Sequence, residues 1–200
     1  ILINVSFLET RVALLENGLL QEIFIERHNS PGYVGDIFRG SVVRVMPGME
    51  AAFVDIGLDR AAFIHNSDIS LLDASGHELQ NDLTPSTILS LRVGQDVIVQ
   101  VAKDAISSKG ARLTTHLTLP SRNLVFMPRD KHLGISKRLE DEQERERLLS
   151  LLREALIKEN WDGPGGFIIR TAAEGVEAEE LIEDLRFLRS LWRKVERRIQ

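Results

Sequence analysis

Apolar and polar residues alternate at strand spacing through most of the chain up to residue 115, and apolar residues then recur at helical spacing. Five apolar runs rich in β-branched or aromatic residues predict five short strands, at 43–45, 53–56, 62–65, 93–101 and 110–115. Five short strands with aromatic side chains on one face are typical of a small closed barrel of the OB class. The polar stretch at 70–91 is predicted to be a long loop of this barrel.

Further elements are predicted on both sides of the barrel. Asn17-Gly18 readily supplies the positive φ angles of a type I′ turn, which predicts a hairpin whose second strand is 19–26. The strands before residue 30 are too few to be stable alone and need partners elsewhere. Beyond residue 117, the spacing predicts, in order, a strand at 124–127, a helix at 139–160, a strand at 167–171 and a helix at 177–199.

Composition narrows the class of protein. Of the 200 residues, 43% are hydrophobic and 28% charged, and no apolar run is long enough to cross a bilayer. No cysteine is present, which excludes a disulfide framework and a thiolate metal site in this segment, and we predict a cytoplasmic location. The net charge of −5 means that any affinity for nucleic acid must come from a local patch and from stacking. Because the chain starts at Ile1 and stops inside a helix pattern, we expect it to be a piece of a longer protein.

Four short motifs identify the barrel more closely. A Val34-Gly35 opener is followed by the segment 53–57 (Phe-Val-Asp-Ile-Gly), the segment 63–67 (Phe-Ile-His-Asn-Ser) and a second opener, Val93-Gly94. In order and spacing this series resembles the S1 RNA-binding domain, an OB-fold. The resemblance implies that the barrel binds RNA.

Motifs outside the barrel extend the resemblance to nearly the whole chain. They include Lys-Gly-Ala-Arg-Leu-Thr-Thr at 109–115, Leu-Val-Phe-Met-Pro at 124–128 and Gly-Phe-Ile-Ile-Arg-Thr-Ala-Ala-Glu-Gly at 166–175. Together with the barrel they resemble the amino-terminal half of the ribonuclease E/G family of endoribonucleases, and its ribonuclease G branch more than its ribonuclease E branch.

This resemblance implies an α+β multidomain fold. A five-stranded OB-fold barrel would be inserted in a partial ribonuclease-H-like subdomain and followed by a small α/β unit that senses the RNA 5′ end. The implied limits are 1–31 for the first part of the ribonuclease-H-like subdomain, 32–116 for the barrel, 117–196 for the 5′ sensor and 197–200 for the return to the ribonuclease-H-like subdomain.

Aromatic residues of the barrel are the first candidates for RNA contact. The candidates are Phe38, Phe53, Phe63 and His65, because an aromatic side chain on an OB face can stack on a base. The alternative is that some of these side chains fill the barrel interior. Strand alternation makes Val54 and Ile56 the better core pair and leaves Phe53 outward. The resemblance implies that Phe53 and Phe63 contact RNA and that Lys109 meets a phosphate.

The second candidate site is Arg170 with Thr171. A guanidinium and a hydroxyl at a strand end can grip a terminal phosphate, although from the residues alone a surface ion pair is the better explanation of Arg170. The resemblance implies that this pair senses an RNA 5′-monophosphate and that the backbone at Val125 helps to close the pocket. Lys137 and Arg138 either add positive charge there or begin the next helix.

No catalytic motif is found within the 200 residues. The five histidines lack metal-ligand spacing, and Asp55 and Asp59 fit a strand end and a turn better than a metal pair. The resemblance implies a Mg²⁺-dependent endoribonuclease whose catalytic aspartates lie downstream, so this segment alone is predicted to be inactive and to hold no metal. The parent would cleave single-stranded RNA in rRNA maturation and mRNA decay, as a homo-oligomer that prefers 5′-monophosphorylated RNA. The alternative is a non-catalytic OB-fold adaptor that only binds RNA.

Overall fold

The structure is a computed structural model that describes residues 1–27, 32–69, 87–106, 109–161, 163 and 165–199. The chain divides into two compact units, residues 1–34 and residues 35–200. Among the described residues, no helix is both long and apolar enough to cross a membrane. The predicted domain boundary at 31 and 32 touches residues outside the described part, and the domain limits stay predictions.

The first unit is a three-stranded antiparallel sheet. Its strands are β1 (Leu2–Val5), β2 (Glu9–Glu16) and β3 (Leu19–Arg27), with β2 in the middle. Asn17 and Gly18 both have positive φ, 50° and 81°, as the predicted hairpin turn between β2 and β3 requires. The predicted hairpin is therefore confirmed.

The second unit begins with the predicted barrel. Five strands close in the order β4-β5-β6-β8-β7; they are β4 (Ile37–Met46), β5 (Ala51–Asp55), β6 (Ala62–His65), β7 (Asp96–Lys103) and β8 (Arg112–Thr114). The OB class is confirmed. β4 begins six residues before the predicted strand at 43–45, because its first half pairs with β7 and its second half with β5. Most of the predicted loop at 70–91 lies outside the described residues; Thr87–Ser90 forms a 3₁₀ turn.

Small and β-branched side chains fill the barrel. Those with 2% exposure or less are Val42, Ala52, Val54, Ala62, Ile64, Ile88, Val99, Val101 and Leu113. Val54 and Ile56 are buried and Asp55 is exposed, which confirms the predicted alternation along β5.

An α/β layer follows the barrel. A four-stranded sheet in the order β11-β12-β10-β9 consists of β9 (Leu119–Pro120), β10 (Leu124–Met127), β11 (Leu133–Ile135) and β12 (Gly166–Ile169). The helices are α1 (Glu142–Lys158) and α2 (Ala178–Ile199). Helix α1 begins three residues later than predicted, because the Asp141 carboxylate accepts the Gln143 N–H at 2.9 Å and caps the helix there.

The helices and the sheet enclose one apolar core. Leu148, Leu152, Leu181, Leu185 and Leu188 are fully buried with the strand residues. Four aromatic rings pack against one another in this core, with centroids 5.0–6.1 Å apart; they are Phe126, Phe167, Trp161 and Trp192.

The side chain of Gln100 joins the barrel to the α/β layer. It lies on β7 and is only 5% exposed. Its amide nitrogen donates to the carbonyl oxygens of Gly35 and Thr118, at 2.8 and 2.9 Å, and its oxygen accepts the Thr118 N–H at 2.8 Å. Because the Gln100 side chain is buried, these bonds hold the start of the α/β layer against the barrel wall.

Candidate nucleic-acid interface

Phe53 and Phe63 face each other across two neighbouring strands of the barrel. They are direct cross-strand partners on β5 and β6, and both rings are half-buried. The adjacent residues Val54 and Ile64 point into the core with 0% and 2% exposure. The two rings therefore form a paired aromatic surface on the outside of the barrel.

Cations flank this aromatic pair on both sides. The strand register runs from Arg44 to Phe53, Phe63, Arg112 and Lys103 across five adjacent strands, and we call these five residues the outer row. Arg112 also forms an ion pair with Asp68 at 2.7 Å, which fixes its guanidinium. The row places two adjacent flat rings between cations, a combination suited to the bases and phosphates of a single strand.

Two β-bulges create the outer row. The register shifts between Val42 and Arg44 on β4, and again between Val101 and Lys103 on β7. Val42 and Val101 are buried, so strict alternation would point Arg44 and Lys103 inward as well. The extra residue in each bulge turns the cation outward. Because alternation alone places Arg44 and Lys103 inside, the sequence analysis missed both, and it missed Arg112 with them.

Two more of the predicted RNA-binding residues lie near Phe63. His65 is on the same face of β6, and its Nδ1 accepts the Ser67 N–H at 3.2 Å. Lys109 is exposed and starts the approach to β8. A Cβ on the next residue, Gly110, would lie 2.1 Å from the Ala61 carbonyl oxygen, so glycine is needed to bring Lys109 this close to β6.

Phe38 lies apart from the outer row. It pairs with Val99 across β4 and β7 and shares a face with Val42, and both valines are buried. Directly opposed residues of an antiparallel pair point to the same side. Phe38 itself is half-buried, as Phe53 and Phe63 are, and its contact with RNA stays a prediction.

The three residues predicted to bind a 5′ phosphate meet at one end of the α/β sheet. Arg170 follows β12 directly, and its backbone N–H donates to the Asn123 carbonyl at 2.8 Å. Thr171 is exposed and opens a 3₁₀ turn. Val125 pairs with Ile168, two residues before Arg170, and lies on the sheet face away from the helices, since Leu124 and Phe126 on the other face are fully buried.

The turn at 121–123 positions the guanidinium of Arg170. One nitrogen, Nη1, donates to the carbonyl oxygens of Ser121 at 2.5 Å and Arg122 at 3.4 Å. The other nitrogens, Nε and Nη2, make no hydrogen bond to any described residue, and the side chain is exposed. The guanidinium is thus held in place with donors still available for an anion.

Helix α2 holds this turn from behind. The Asp184 carboxylate accepts the Asn123 backbone N–H at 2.7 Å, and Glu180 lies 3.9 Å from Arg122. Asn123 is 2% exposed, and its side-chain oxygen has no partner among the described residues. Asp184 and Asn123 lie 61 residues apart in sequence, and no local pattern indicated that they meet.

Helix α1 holds the segment after Thr171. Glu144 accepts the Gly175 N–H at 2.8 Å, and Arg147 donates to the Val176 carbonyl at 3.1 Å. The paired Arg147 guanidinium, with help from the Gly175 N–H, lowers the pKa of Glu144 to about 2. The segment 171–176 is therefore fixed by an ion pair that spans one helical turn.

Carboxylates and imidazoles do not cluster in the described part of the chain. No group of three or more His, Asp or Glu side chains there comes close enough to hold a metal ion. Asp55 instead accepts the Gly57 N–H at 2.9 Å, as expected of a turn residue. The described residues therefore do not fit a magnesium site.

Comparison with known proteins finds one family match over the barrel and another over the α/β layer. Residues 33–113 match the S1 RNA binding domain, and residues 118–200 match the Ribonuclease E/G family. The chain is 52% identical to "Ribonuclease G" of Haemophilus influenzae and 54% identical to that of Escherichia coli K12, in each case over 98% of its own length.

This is a ribonuclease E/G-type chain. Its identity to "Ribonuclease E" of Nostoc sp. PCC 7120 is lower, 40% over 84% of the chain, which agrees with the predicted likeness to the ribonuclease G branch. The chain spans 39% of the length of the two curated ribonuclease G relatives and 23% of that ribonuclease E. The resemblance that the motifs predicted is confirmed.

Proposed function

We propose that this chain is the RNA-recognition part of a ribonuclease G-like endoribonuclease that cleaves single-stranded RNA in rRNA maturation and mRNA decay. The observation that carries the proposal is the identity of 52–54% to ribonuclease G across 98% of the chain, including the barrel and the α/β layer. The same likeness supports a homo-oligomeric full-length enzyme in the cytoplasm.

In this proposal the outer row grips the RNA strand. Bases stack on Phe53 and Phe63, while Arg44, Lys103 and Arg112 meet the phosphates on either side. Stacking on an aromatic side chain is worth about 1–3 kcal/mol per base and has little sequence preference. Lys109 and His65 extend the contact beside Phe63. A strand bound this way is single-stranded, because paired bases cannot expose their faces to the rings.

The pocket at Arg170 reads the 5′ end. Arg170 supplies charged N–H donors to a terminal monophosphate, Thr171 supplies a hydroxyl, and the backbone at Val125 closes one side. A 5′-hydroxyl end has no such charge, and so it gains little from the guanidinium. This difference would make the protein favour 5′-monophosphorylated RNA.

The chemical step belongs to the remainder of the full-length protein. The family likeness supports hydrolysis of a phosphodiester with the help of Mg²⁺, which residues outside this chain would hold. In this proposal the 200-residue chain binds and orients the substrate. It is therefore expected to bind RNA without cutting it.

Binding of a labelled single-stranded RNA to wild type, Phe53→Ala and Phe63→Ala tests the proposal. Each variant should weaken binding by roughly five- to a hundredfold, as expected from the loss of one stacked base. Phe24→Ala is the matched control, because Phe24 is an exposed phenylalanine of the three-stranded sheet. Unchanged affinity in both barrel variants would refute RNA binding by the outer row. RNA cleavage by the purified chain that depends on its own carboxylates would refute the proposal that this chain only binds RNA.

A further inference from the structure

One face of helix α2 carries a concentrated positive charge outside both sites described above. A cleft of about 300 Å³ is lined by Arg186, Arg189, Ser190, Arg193, Lys194 and Arg197. Five of these six residues are cationic and none is acidic, in a chain whose net charge is −5. We call these six residues the α2 basic face.

The α2 basic face is a continuous stripe along the helix. Its members recur at intervals of three and four residues, which places them on one side of an α-helix. From Arg186 to Arg197 the stripe is about 16 Å long, a length over which a stacked nucleic acid strand carries roughly five phosphates. Length and charge spacing therefore match an extended polyanion better than a single small ion.

Neighbouring groups hold the amino-terminal part of the stripe in place. Arg186 forms an ion pair with Glu159 at 2.8 Å, and Arg189 donates to the Glu159 carbonyl at 2.6 Å. The Arg189 guanidinium also lies 5.0 Å from the centre of the Trp161 ring. These contacts order two of the cations before any ligand arrives, which lowers the entropic cost of binding.

The carboxyl-terminal part of the stripe lacks such neighbouring contacts. Arg193, Lys194 and Arg197 are exposed or nearly so, and none forms an ion pair with a described carboxylate. Arg189 and Arg193, and likewise Arg193 and Arg197, are four residues apart, a spacing at which like charges destabilise a helix. The favourable helix dipole offsets part of this repulsion, and a bound anion would relieve the rest.

We infer that the α2 basic face binds the phosphate backbone of single-stranded RNA, as a second contact besides the outer row of the barrel. This inference rests on the proposed RNA-binding function and adds a surface to it. Contacts to phosphates carry no base specificity, so the face lengthens the bound strand without selecting its sequence.

The test is RNA binding by Arg193→Gln/Arg197→Gln, measured over a range of salt concentrations with a 5′-hydroxyl RNA that bypasses the Arg170 pocket. Loss of two phosphate contacts should reduce the slope of log affinity against log salt by about 1.4 and weaken binding roughly two- to twentyfold. The control is Lys131→Gln/Arg153→Gln, which removes the same charge from exposed sites elsewhere in the α/β layer. The thermal midpoint of the double variant should not fall, because the substitution removes like-charge repulsion.

The same substitutions in a second variant chain distinguish a failure of this inference from a failure of the proposed function. In a Phe53→Ala/Phe63→Ala chain, the basic-face substitutions should still reduce the salt slope by the same amount, since the two surfaces are independent. Equal slopes and affinities for the basic-face variant and its control would overturn the inference. The stripe would then be assigned to an acidic protein segment.

Discussion

The guanidinium of Arg170 and the backbone carbonyl of Ser121 are joined by a hydrogen bond of 2.5 Å. This bond fixes the cation at the end of β12 before any RNA is present and leaves its Nε and Nη2 groups available. Arg170 in turn ties the 121–123 turn to β12, so pocket and turn form one unit. Any change that frees the turn should therefore weaken recognition of the RNA 5′ end even where Arg170 is intact.

Asp184→Asn tests that dependence. The substitution replaces a charged acceptor of the Asn123 N–H by a neutral one, which costs about 1 kcal/mol of hydrogen-bond energy and loosens the turn. Affinity for 5′-monophosphorylated RNA should fall roughly three- to tenfold, while affinity for 5′-hydroxyl RNA stays the same. The control is Glu183→Gln, which removes the same charge from an exposed neighbour and should leave the affinity for both RNAs unchanged. Tighter binding by Asp184→Asn would mean that its negative charge opposes the phosphate and that the turn needs no support.

Gly110→Ala should destabilise the barrel. An added Cβ would lie 2.1 Å from the Ala61 carbonyl oxygen, so the strands must move apart, at a cost of about 1–3 kcal/mol in the free energy of unfolding. Gly48→Ala is the control, because a Cβ there meets nothing within 4 Å and φ is not positive. Chemical denaturation of both variants measures the difference. Equal stability would show that this segment has room to shift.

Glu144→Gln should remove part of the acid sensitivity of the fold. Pairing with Arg147 lowers the pKa of Glu144 in the folded chain from its ordinary value of 4.5 to about 2. A carboxyl whose folded pKa is lowered stabilises the fold fully above its unfolded pKa, and this contribution is lost as the pH falls from about 4.5 to about 2. The thermal midpoint of wild type should therefore drop more steeply over that range than the midpoint of Glu144→Gln. The exposed neighbour variant Glu146→Gln should follow wild type, and parallel curves for all three chains would count against the pairing.

Much of the fold could be predicted from local pattern. Three features could be predicted because each depends on neighbours in sequence: the Asn17-Gly18 turn, the burial of Val54 and Ile56, and the strand at 124–127. Strands β9 and β11 were missed, since two or three residues show no period and become strands only by pairing with β10 and β12.

The candidate site was less accessible to sequence reasoning. Phe53 and Phe63 could be named from alternation and resemblance, but the cations beside them depend on two bulges that reverse the alternation. Asp184 reaches Asn123 only because α2 folds back over the sheet. Register and tertiary contact, which no local window contains, decide these positions.

The most direct test of the central claim is the binding of one short single-stranded RNA, carrying either a 5′-monophosphate or a 5′-hydroxyl, to wild type, Arg170→Ala and Arg170→Lys. Wild type should prefer the monophosphate roughly ten- to a hundredfold, as expected for charge-assisted hydrogen bonds of about 1.5–3 kcal/mol. The preference should vanish in Arg170→Ala, and lysine should restore it poorly because it lacks the planar fork that also holds Ser121. Equal binding of both RNAs by wild type, or a preference that survives in Arg170→Ala, would contradict 5′-end sensing by this chain.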